Sequence, residues 1–368
     1  MEILTSDAYS VRTTPADWQA VMRAAWRDLP SLCEQLQRPA TIEHGLARPS
    51  TGAAESPKSP PESPATSPFP LFAPPRFVAK IERGNWQDPL LLQILPTAQE
   101  RVQDPSFVPD PVGDLPATRT AGLLHKYRGR ALLLLNGVCA IHCRYCFRQH
   151  FPYADASLSG TRWDAAIAAI REDATLREII LSGGDPLTWT DDRLRRSVDE
   201  LAQVSHLTRL RIHSRLPVVI PERVTESLLE LLTATRLQPI LVIHANHPRE
   251  LDDEVQNRLH RLAAAGVVLF NQAVLLRGVN DSAEVLVGLS ERLIECRTTP
   301  YYLHQLDRVA GAAHFEVSPH RGLELMEALR EQLPGYAVPR YVREVAGGAA
   351  KEPVEVARRD APTLHRET

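Results

Sequence analysis

Three cysteines that lie close together in the chain have the residue type and spacing of a metal-binding loop. Cys139, Cys143 and Cys146 form the pattern C-x3-C-x2-C and follow the apolar run "ALLLLNGV". Thiolates hold iron–sulfur clusters, usually four to a cluster, so three on one loop would leave one iron open to an exogenous ligand. One alternative is a structural zinc ion with His142 or His150 as fourth ligand, although such sites usually consist of two separated ligand pairs. Inert thiols are the other alternative.

The composition is that of an ordinary globular protein. The chain has 368 residues, 43% of them hydrophobic and 24% charged, with a formal net charge of −3. This balance gives no bulk electrostatic reason to bind nucleic acid or an anionic membrane. The first residues lack the pattern of a signal peptide, and the longest aliphatic run, 131–135, is too short to span a bilayer. An odd number of cysteines favours reduced thiols, so we expect a cytoplasmic protein with a small-molecule partner.

After Thr120, short aliphatic runs alternate with amphipathic stretches, a pattern that predicts parallel βα units and an α/β fold. The predicted strands are 131–137, 178–183, 209–214, 239–245, 267–275 and 300–306. The predicted helices between them are 161–173, 190–204, 221–236, 250–266 and 282–296. Six such repeats indicate a barrel-like sheet with functional groups at the C-terminal strand ends. A doubly wound sheet is the alternative, because periodicity does not reveal strand order.

The sequence predicts five segments. Residues 15–37 place apolar side chains on one helical stripe, which predicts one or two short helices within an N-terminal helical extension, 1–48. Residues 49–75 are dominated by Pro, Ser and Ala and are predicted to form a flexible linker. The remaining segments are a pre-barrel segment, a barrel core and a C-terminal segment, at 76–120, 121–310 and 311–368.

The cysteine triplet after the first strand of a six-fold βα repeat resembles the radical S-adenosylmethionine enzymes. This resemblance implies a partial (β/α)6 barrel of TIM-like type and a [4Fe-4S] cluster whose open iron is chelated by S-adenosylmethionine. It also implies that the bound S-adenosylmethionine is cleaved to a 5′-deoxyadenosyl radical. The family places a glycine-rich turn against the methionine amino group at the end of the second strand. The stretch "LSGGDP" matches that turn with Gly183, Gly184 and Asp185.

A narrower similarity covers most of the chain from about residue 72 onward. Six segments match, in the same order, the lysine 2,3-aminomutases: "HKYRGRALLLLNGVCAIHCRYCFRQHFPY", "SRLPVVIPERV", "HANHP", "NQAVLLRGVND", "YYLHQLD" and "GGAAK". These isomerases also use pyridoxal 5′-phosphate, and the resemblance places its Schiff-base lysine at Lys351, in the C-terminal segment. A lysine amine is a sound covalent partner for an aldehyde cofactor once burial lowers its pKa.

The resemblance implies further roles, although taken alone each of these residues would be an unremarkable polar or charged group. Lys126 and Arg130 match residues that bind the phosphate of pyridoxal phosphate, where the first is commonly arginine. Arg148 matches the arginine that holds the substrate carboxylate. Asp307 and Glu344 match two positions that hold the side-chain ammonium of lysine, the second commonly aspartate. Three residues match positions around the adenosyl moiety: His244, Asn246 and Gln272.

Two absences favour one branch of the aminomutases. The metabolic lysine aminomutases carry an extra zinc site built from cysteines, whereas this chain has Ser282 at the "GVND" turn and no cysteine after Cys296. The closer resemblance is to the bacterial branch that makes (R)-β-lysine from L-lysine for attachment to elongation factor P by a separate ligase. The long linker and Gln149, where that branch commonly has arginine, are departures from it.

Two alternatives remain open at this point. An enzyme that produces free β-lysine, or that acts on another amino acid, would differ only in substrate contacts such as Glu344. A non-catalytic binding module whose cysteines hold zinc belongs to a different class and gives Lys351 no role. The bound cofactors and the substrate profile separate these hypotheses.

Overall fold

The computed structural model describes residues 17–36 and 69–355 of the chain. Most of the predicted linker, and the last part of the predicted C-terminal segment, therefore lie outside the described residues. The final part of that linker, residues 69–75, packs on the protein body, with Leu71 and Ala73 buried. Ala73 exchanges two backbone hydrogen bonds with Trp26, of 2.8 and 3.0 Å. This bridge attaches the N-terminal helices to the body.

Ten strands form a single sheet in chain order. The strands are β1 (Thr118–Thr120), β2 (Leu123–Tyr127), β3 (Arg130–Leu134), β4 (Glu178–Ser182), β5 (Arg209–Ser214), β6 (Gln238–Ile243), β7 (Val268–Val274), β8 (Thr299–His304), β9 (Arg340–Arg343) and β10 (Glu352–Pro353). Neighbours from β3 to β9 pair in parallel, whereas β1, β2 and β10 are antiparallel additions at the two ends. The six predicted strands are confirmed as β3 to β8.

Helices precede the sheet and connect its parallel strands. They are α1 (Asp17–Arg23), α2 (Leu29–Gln35), α3 (Pro75–Ala79), α4 (Pro89–Leu92), α5 (Tyr153–Ala156), α6 (Thr161–Glu172), α7 (Asp191–Ala202), α8 (Leu216–Val219), α9 (Glu226–Thr233), α10 (Asp253–Ala264), α11 (Ala283–Glu295) and α12 (Pro319–Gln332). Side-chain caps begin several of them; for example, Thr225, Asp252 and Ser282 each accept a hydrogen bond from the backbone N–H three residues later. The five predicted helices are confirmed, and α1 and α2 confirm the prediction of one or two short N-terminal helices.

The strand order excludes the doubly wound alternative. Such a sheet needs a point at which the order of its parallel strands reverses. Here the parallel strands β3 to β9 follow one another without a reversal. The right-handed βα connections therefore place all the covering helices on one face of the sheet.

The two faces of the sheet differ in character. On β5, Leu210 and Ile212 are fully buried towards the helices, while Arg211 and His213 alternate with them and remain partly accessible. On β7, Gln272 lies on the same accessible face as His213 by the same alternation. Both faces of a parallel sheet are usually covered and apolar. The polar, partly accessible inner face of this sheet is therefore a candidate location for the functional site.

No helix in the described part of the chain is long and apolar enough to cross a membrane.

Candidate active site

The cysteine loop begins directly after β3 and is held by the turn that follows β4. Gly184 donates its backbone N–H to the Asn136 carbonyl at 2.7 Å, and the next N–H, of Asp185, bonds the Val138 carbonyl at 2.8 Å. Gly183 has a φ of +126°, which favours glycine, and a Cβ on Gly184 would collide with the Val138 carbonyl. The two glycines thus allow the turn to pack against the start of the cysteine loop.

All five cysteines of the chain are free. Burial raises the pKa of Cys139 well above its usual value and that of Cys146 to about 12, and neighbouring thiols add to both effects. Such thiols ionise only when a cation or cluster compensates the buried negative charge. The donor set of three clustered thiols in a desolvated loop therefore fits an iron–sulfur cluster.

Within residues 17–36 and 69–355, no three His, Cys, Asp or Glu side chains are arranged to hold one metal ion. The zinc alternative therefore lacks a ligand set in this part of the chain. The two candidate fourth ligands are also engaged elsewhere. His142 Nδ1 lies 2.7 Å from the Pro70 carbonyl oxygen and stacks on Phe69, while His150 Nε2 lies 3.0 Å from the Ala310 carbonyl oxygen. Thiolates of a four-iron cluster bind separate irons, so they need not converge on one point.

Asp185 holds the turn itself. Its carboxylate is 4% exposed and accepts hydrogen bonds from the Ser214 hydroxyl at 2.8 Å and the Arg215 backbone N–H at 2.8 Å. The Leu187 and Leu216 backbone N–H groups also donate to it. Burial raises the pKa of Asp185 to about 6, against these hydrogen bonds. The carboxylate predicted to contact a cofactor is therefore occupied by protein donors that tie β4 to β5.

The three residues predicted around the adenosyl moiety lie at the ends of β6 and β7 but differ in their surroundings. His244 Nε2 and Gln272 Nε2 lie 2.9 Å apart, and burial lowers the pKa of His244 to about 3, which keeps the imidazole neutral. Asn246 is buried, donates to the Tyr145 hydroxyl at 2.6 Å and accepts from the Val274 N–H at 2.8 Å. Asn246 is thus part of a buried network, whereas the other two line the inner face.

Five charged side chains form a continuous chain of ion pairs. Lys351 Nζ lies 2.7 Å from Glu344 Oε2, and Lys126 Nζ lies 2.9 Å from Glu344 Oε1. Lys126 Nζ also lies 2.6 Å from Asp114 Oδ1, and the other oxygen of Asp114 accepts from Arg148 Nε at 2.6 Å. This series of ion pairs therefore joins the predicted Schiff-base lysine to the predicted carboxylate-binding arginine. That arginine lies two residues beyond Cys146. We call it the charged chain.

The charged chain also shows that the sheet curves strongly. Lys126 is on β2 and Glu344 directly follows β9, so seven interstrand spacings of about 4.8 Å would put these strands about 34 Å apart in a flat sheet. Side chains of lysine and glutamate cannot cover that distance. The two ends of the sheet therefore approach one another, and the polar inner face is concave.

Charge and burial set the ionisation of these groups. Burial alone would raise the pKa of Glu344, but Lys351 and Lys126 outweigh it and lower that pKa to about 2. Asp307, just beyond β8, behaves in the opposite way: burial raises its pKa to about 7, although Lys351 opposes the shift. Lys351 Nζ also lies 5.9 Å from the centre of the Tyr302 ring. Glu344 is thus fully ionised, whereas Asp307 titrates near neutral pH.

Lys126 and Arg130 differ in the donors they have free. An ammonium has three N–H donors, and three acceptors surround that of Lys126: Asp114, Glu344 and the Val112 carbonyl oxygen at 2.8 Å. The Arg130 guanidinium lies over the Tyr127 ring, 4.5 Å from its centre, and has no hydrogen bond to another described residue. Arg130 is therefore ready to bind an anion, whereas Lys126 must first exchange a partner.

Two contributors to the site are absent from the sequence predictions. Asp114 is 2% exposed and lies in a loop before β1, where no motif marks it. Arg215 is 5% exposed and donates from Nη1 to Cys143 Sγ at 2.7 Å. A usable signal existed for Arg215, because it directly follows a predicted strand, at the edge where such folds hold functional groups. For Asp114 the sequence offers no such signal.

Comparison with known proteins defines the family. No family model matches the chain. Curated proteins named L-lysine 2,3-aminomutase do match: that of Haemophilus influenzae is 45% identical over 279 residues, which is 76% of this chain and 82% of the relative. The Escherichia coli protein is 45% identical over 288 residues, covering 78% and 84%. The Clostridium subterminale protein is 38% identical over 282 residues, covering 76% and 67%.

Among solved structures, a radical SAM methyltransferase from Sphaerobacter thermophilus matches 60% of this chain and 68% of its own, with 19% identity and a TM-score of 0.42. The aligned regions of the three L-lysine 2,3-aminomutases cover about three quarters of this chain and at least two thirds of each of these relatives. The chain belongs to the L-lysine 2,3-aminomutase family of isomerases.

Proposed function

We propose that this enzyme converts L-lysine to (R)-β-lysine, and that the product is destined for attachment to elongation factor P by a separate ligase. The relatives from H. influenzae and E. coli are named for the reaction on L-lysine, as is the one from C. subterminale. The choice of branch is supported by the sequence, which has Ser282 and no cysteine beyond Cys296 for the extra zinc site. A cytoplasmic location remains a prediction.

The observation that carries the proposal is the charged chain. A reaction on a free amino acid needs a cation for its carboxylate, an anion for a side-chain ammonium and a lysine for the aldehyde cofactor. Arg148, Glu344 and Lys351 supply one of each and are connected through Asp114 and Lys126 over contacts of 2.6 to 2.9 Å. The non-catalytic zinc module gives this arrangement no role.

Family membership implies three cofactors: a [4Fe-4S] cluster, S-adenosylmethionine and pyridoxal 5′-phosphate. When bound, they supply radical chemistry and a π-system that stabilises the reacting carbon. Cys139, Cys143 and Cys146 would hold the cluster, and Lys351 would hold pyridoxal phosphate as a Schiff base. The turn at Gly183 and Gly184 would lie beside the methionine group. The strong curvature of the sheet supports a partial (β/α)6 barrel around them.

The remaining assignments concern the substrate and the ends of the cofactors. Arg148 would bind the lysine carboxylate, because its Nε is held by Asp114 while its Nη groups are less committed. Asp307 and Glu344 would bind the ammonium of the lysine side chain. Arg130 and Lys126 would bind the cofactor phosphate. His244 and Gln272 would face the adenosyl group, with Asn246 supporting the β6 end from its buried network.

The structure suggests an order for these events. Glu344 pairs with Lys351 and Lys126, the two lysines proposed to hold pyridoxal phosphate. With both lysines holding pyridoxal phosphate, the Glu344 carboxylate would lack its two present counter-ions and would need another cation. The ammonium of the substrate would supply it. Loading with pyridoxal phosphate should therefore precede tight binding of lysine.

The experiment that tests the branch couples the enzyme to its proposed acceptor. The anaerobically reconstituted enzyme is incubated with L-lysine, the cofactors and a reductant, and then with the ligase and elongation factor P. We expect a β-lysyl adduct on one lysine of the factor by mass spectrometry, and none with the Cys143→Ser variant. Cys296→Ser is the matched control, because Cys296 is buried beyond α11, away from the cluster loop. Free β-lysine without any adduct would support the alternative of a free β-lysine producer.

A further inference from the structure

A buried guanidinium contacts one of the cysteines proposed to bind the cluster. Arg215 follows β5 directly, and the backbone N–H of Arg215 donates a hydrogen bond to the Asp185 carboxylate. Its Nη1 donates to Cys143 Sγ at 2.7 Å, and its Nη2 donates to Gln93 Oε1 at 2.6 Å and Glu250 Oε2 at 2.8 Å. The guanidinium therefore lies between a cluster sulfur and a carboxylate.

The carboxylate behind Arg215 is itself fully enclosed. Glu250 is 0% exposed, and its Oε1 accepts from the backbone N–H groups of Asn246 at 2.9 Å and His247 at 3.1 Å. The Gln93 side chain donates to the same oxygen at 3.1 Å. Arg215 and Glu250 thus form a buried pair in a fixed orientation, with its positive end towards Cys143.

We propose that Arg215 raises the reduction potential of the [4Fe-4S] cluster through its hydrogen bond to Cys143, and that Glu250 moderates this effect. The inference rests on the proposed function only in assigning the cluster to Cys139, Cys143 and Cys146. Potentials of such clusters depend on hydrogen bonds to the sulfurs, net charge and solvent exposure. Outer groups that bond to a metal ligand tune the metal in the same way.

The direction of the effect follows from charge. The oxidised cluster takes up one electron from a low-potential one-electron reductant such as dithionite, no bond is formed or broken, and Arg215 keeps its proton. The added negative charge is stabilised by the positive group at the sulfur more than by the distant solvent, because the site is desolvated. Glu250 acts with the opposite sign from farther away.

The test is an EPR-monitored redox titration of the reconstituted protein, which needs no substrate. For Arg215→Met we expect the ratio of reduced to oxidised cluster at a fixed potential to fall about tenfold, a shift of about 59 mV to lower potential for a one-electron couple. For Glu250→Gln we expect a shift to higher potential. Arg215→Lys, which keeps the charge, should shift the potential less than Arg215→Met.

Removing one partner of a buried pair often unfolds a protein, whereas replacing both is better tolerated. The double variant Arg215→Met with Glu250→Gln therefore provides a second measurement, and its potential should lie below that of Glu250→Gln alone. A matched control is the double variant Arg223→Met with Asp191→Asn, an ion pair of 2.7 Å between a buried arginine and a partly exposed aspartate that contacts no cluster cysteine. It should leave the potential unchanged.

The outcomes separate the inference from the proposed function. A wild-type protein that assembles no [4Fe-4S] cluster would contradict the proposed function. A wild-type cluster with normal iron content, combined with an unchanged potential in Arg215→Met or with a double variant whose potential equals that of Glu250→Gln, would overturn the inference alone. A fall in potential for Glu250→Gln would overturn it as well, because the sign would be wrong.

Discussion

Arg148 Nε donates a hydrogen bond of 2.6 Å to Asp114 Oδ2, and both side chains are almost completely buried. The second oxygen of Asp114 lies 2.6 Å from Lys126 Nζ. Arg148 also donates from Nη1 to the Ser182 hydroxyl at 3.1 Å. The guanidinium is thus oriented before any substrate arrives, and pre-orientation of this kind lowers the entropic cost of binding.

Asp114→Asn removes the charge that orients Arg148 but keeps the size of the side chain. Hydrogen bonds to charged groups contribute about 1.5–3 kcal/mol, so we expect the KM for L-lysine to rise at least about tenfold. Iron content and pyridoxal phosphate absorbance should stay at the wild-type level. Asp104→Asn, which alters an exposed carboxylate bonded to Ser106, is the control. An unchanged KM in Asp114→Asn would contradict the role of Asp114 in orienting Arg148 for substrate binding.

Glu344→Gln should weaken the binding of L-lysine without weakening the binding of pyridoxal phosphate. The substrate ammonium loses its anion, so the KM for L-lysine should rise about tenfold, in line with a charge-assisted hydrogen bond. Lys126 and Lys351 lose a shared counter-ion, so pyridoxal phosphate should bind at least as tightly as in the wild type. Absorbance titration measures the cofactor affinity, and Glu352→Gln, at an exposed ion pair, is the control. Weaker cofactor binding would argue against the proposed exchange.

Binding of L-lysine should strengthen as the pH rises through 7. Burial raises the pKa of Asp307 to about 7, so the carboxyl group is mostly protonated at pH 6 and cannot pair with an ammonium. Below that pKa the affinity should increase up to about tenfold per pH unit. Glu344 stays ionised throughout, because its pKa is lowered to about 2. The measurement is the dissociation constant between pH 6 and 8, and Asp307→Asn should flatten the slope; an equally steep slope in that variant would refute the assignment.

Gly184→Ala should disrupt the cysteine loop. The added Cβ would collide with the Val138 carbonyl and approach the Gly137 carbonyl carbon at 2.7 Å. Overpacking of this kind costs about 1–3 kcal/mol, so we expect a lower Tm and less iron per chain after reconstitution. Gly288→Ala, in the middle of α11, is the matched control, because its Cβ would meet only Pro248 at 3.8 Å. Full iron content in Gly184→Ala would show that the turn does not shape the loop.

Much of the central fold could be predicted from sequence because buried parallel strands are long aliphatic runs. β3 to β8 and the helices between them have strong periodicity, and they match their predicted positions within a few residues. The short strands β1, β2, β9 and β10 were beyond prediction. A segment such as Arg340–Arg343 has no strand pattern of its own and is extended because it pairs with its neighbours.

The site was predictable only where a motif marks it. The cysteine triplet, Arg148 and Lys351 lie in recognisable segments, and the structure brings the last two into one charged chain. The role of Asp114 depends on contacts with Lys126 and with Arg148, 34 positions away, which exist only in the folded protein. Local sequence does not encode such a meeting. Asp185 is the converse case. It lies in a recognisable motif, but its carboxylate bonds to Ser214 and Arg215 and so stabilises the fold.

The proposed reaction of this enzyme moves the amino group of L-lysine from C2 to C3. The most direct measurement is anaerobic incubation of the reconstituted enzyme with L-lysine, S-adenosylmethionine, pyridoxal phosphate and dithionite, followed by chiral analysis of the amino acids. We predict (R)-β-lysine from the wild type and none from Lys351→Ala, while Lys80→Ala, which alters a lysine paired with Asp252, remains active. A verified intact cluster with 5′-deoxyadenosine but no β-lysine would contradict the substrate, and β-lysine from Lys351→Ala would contradict the role of that lysine.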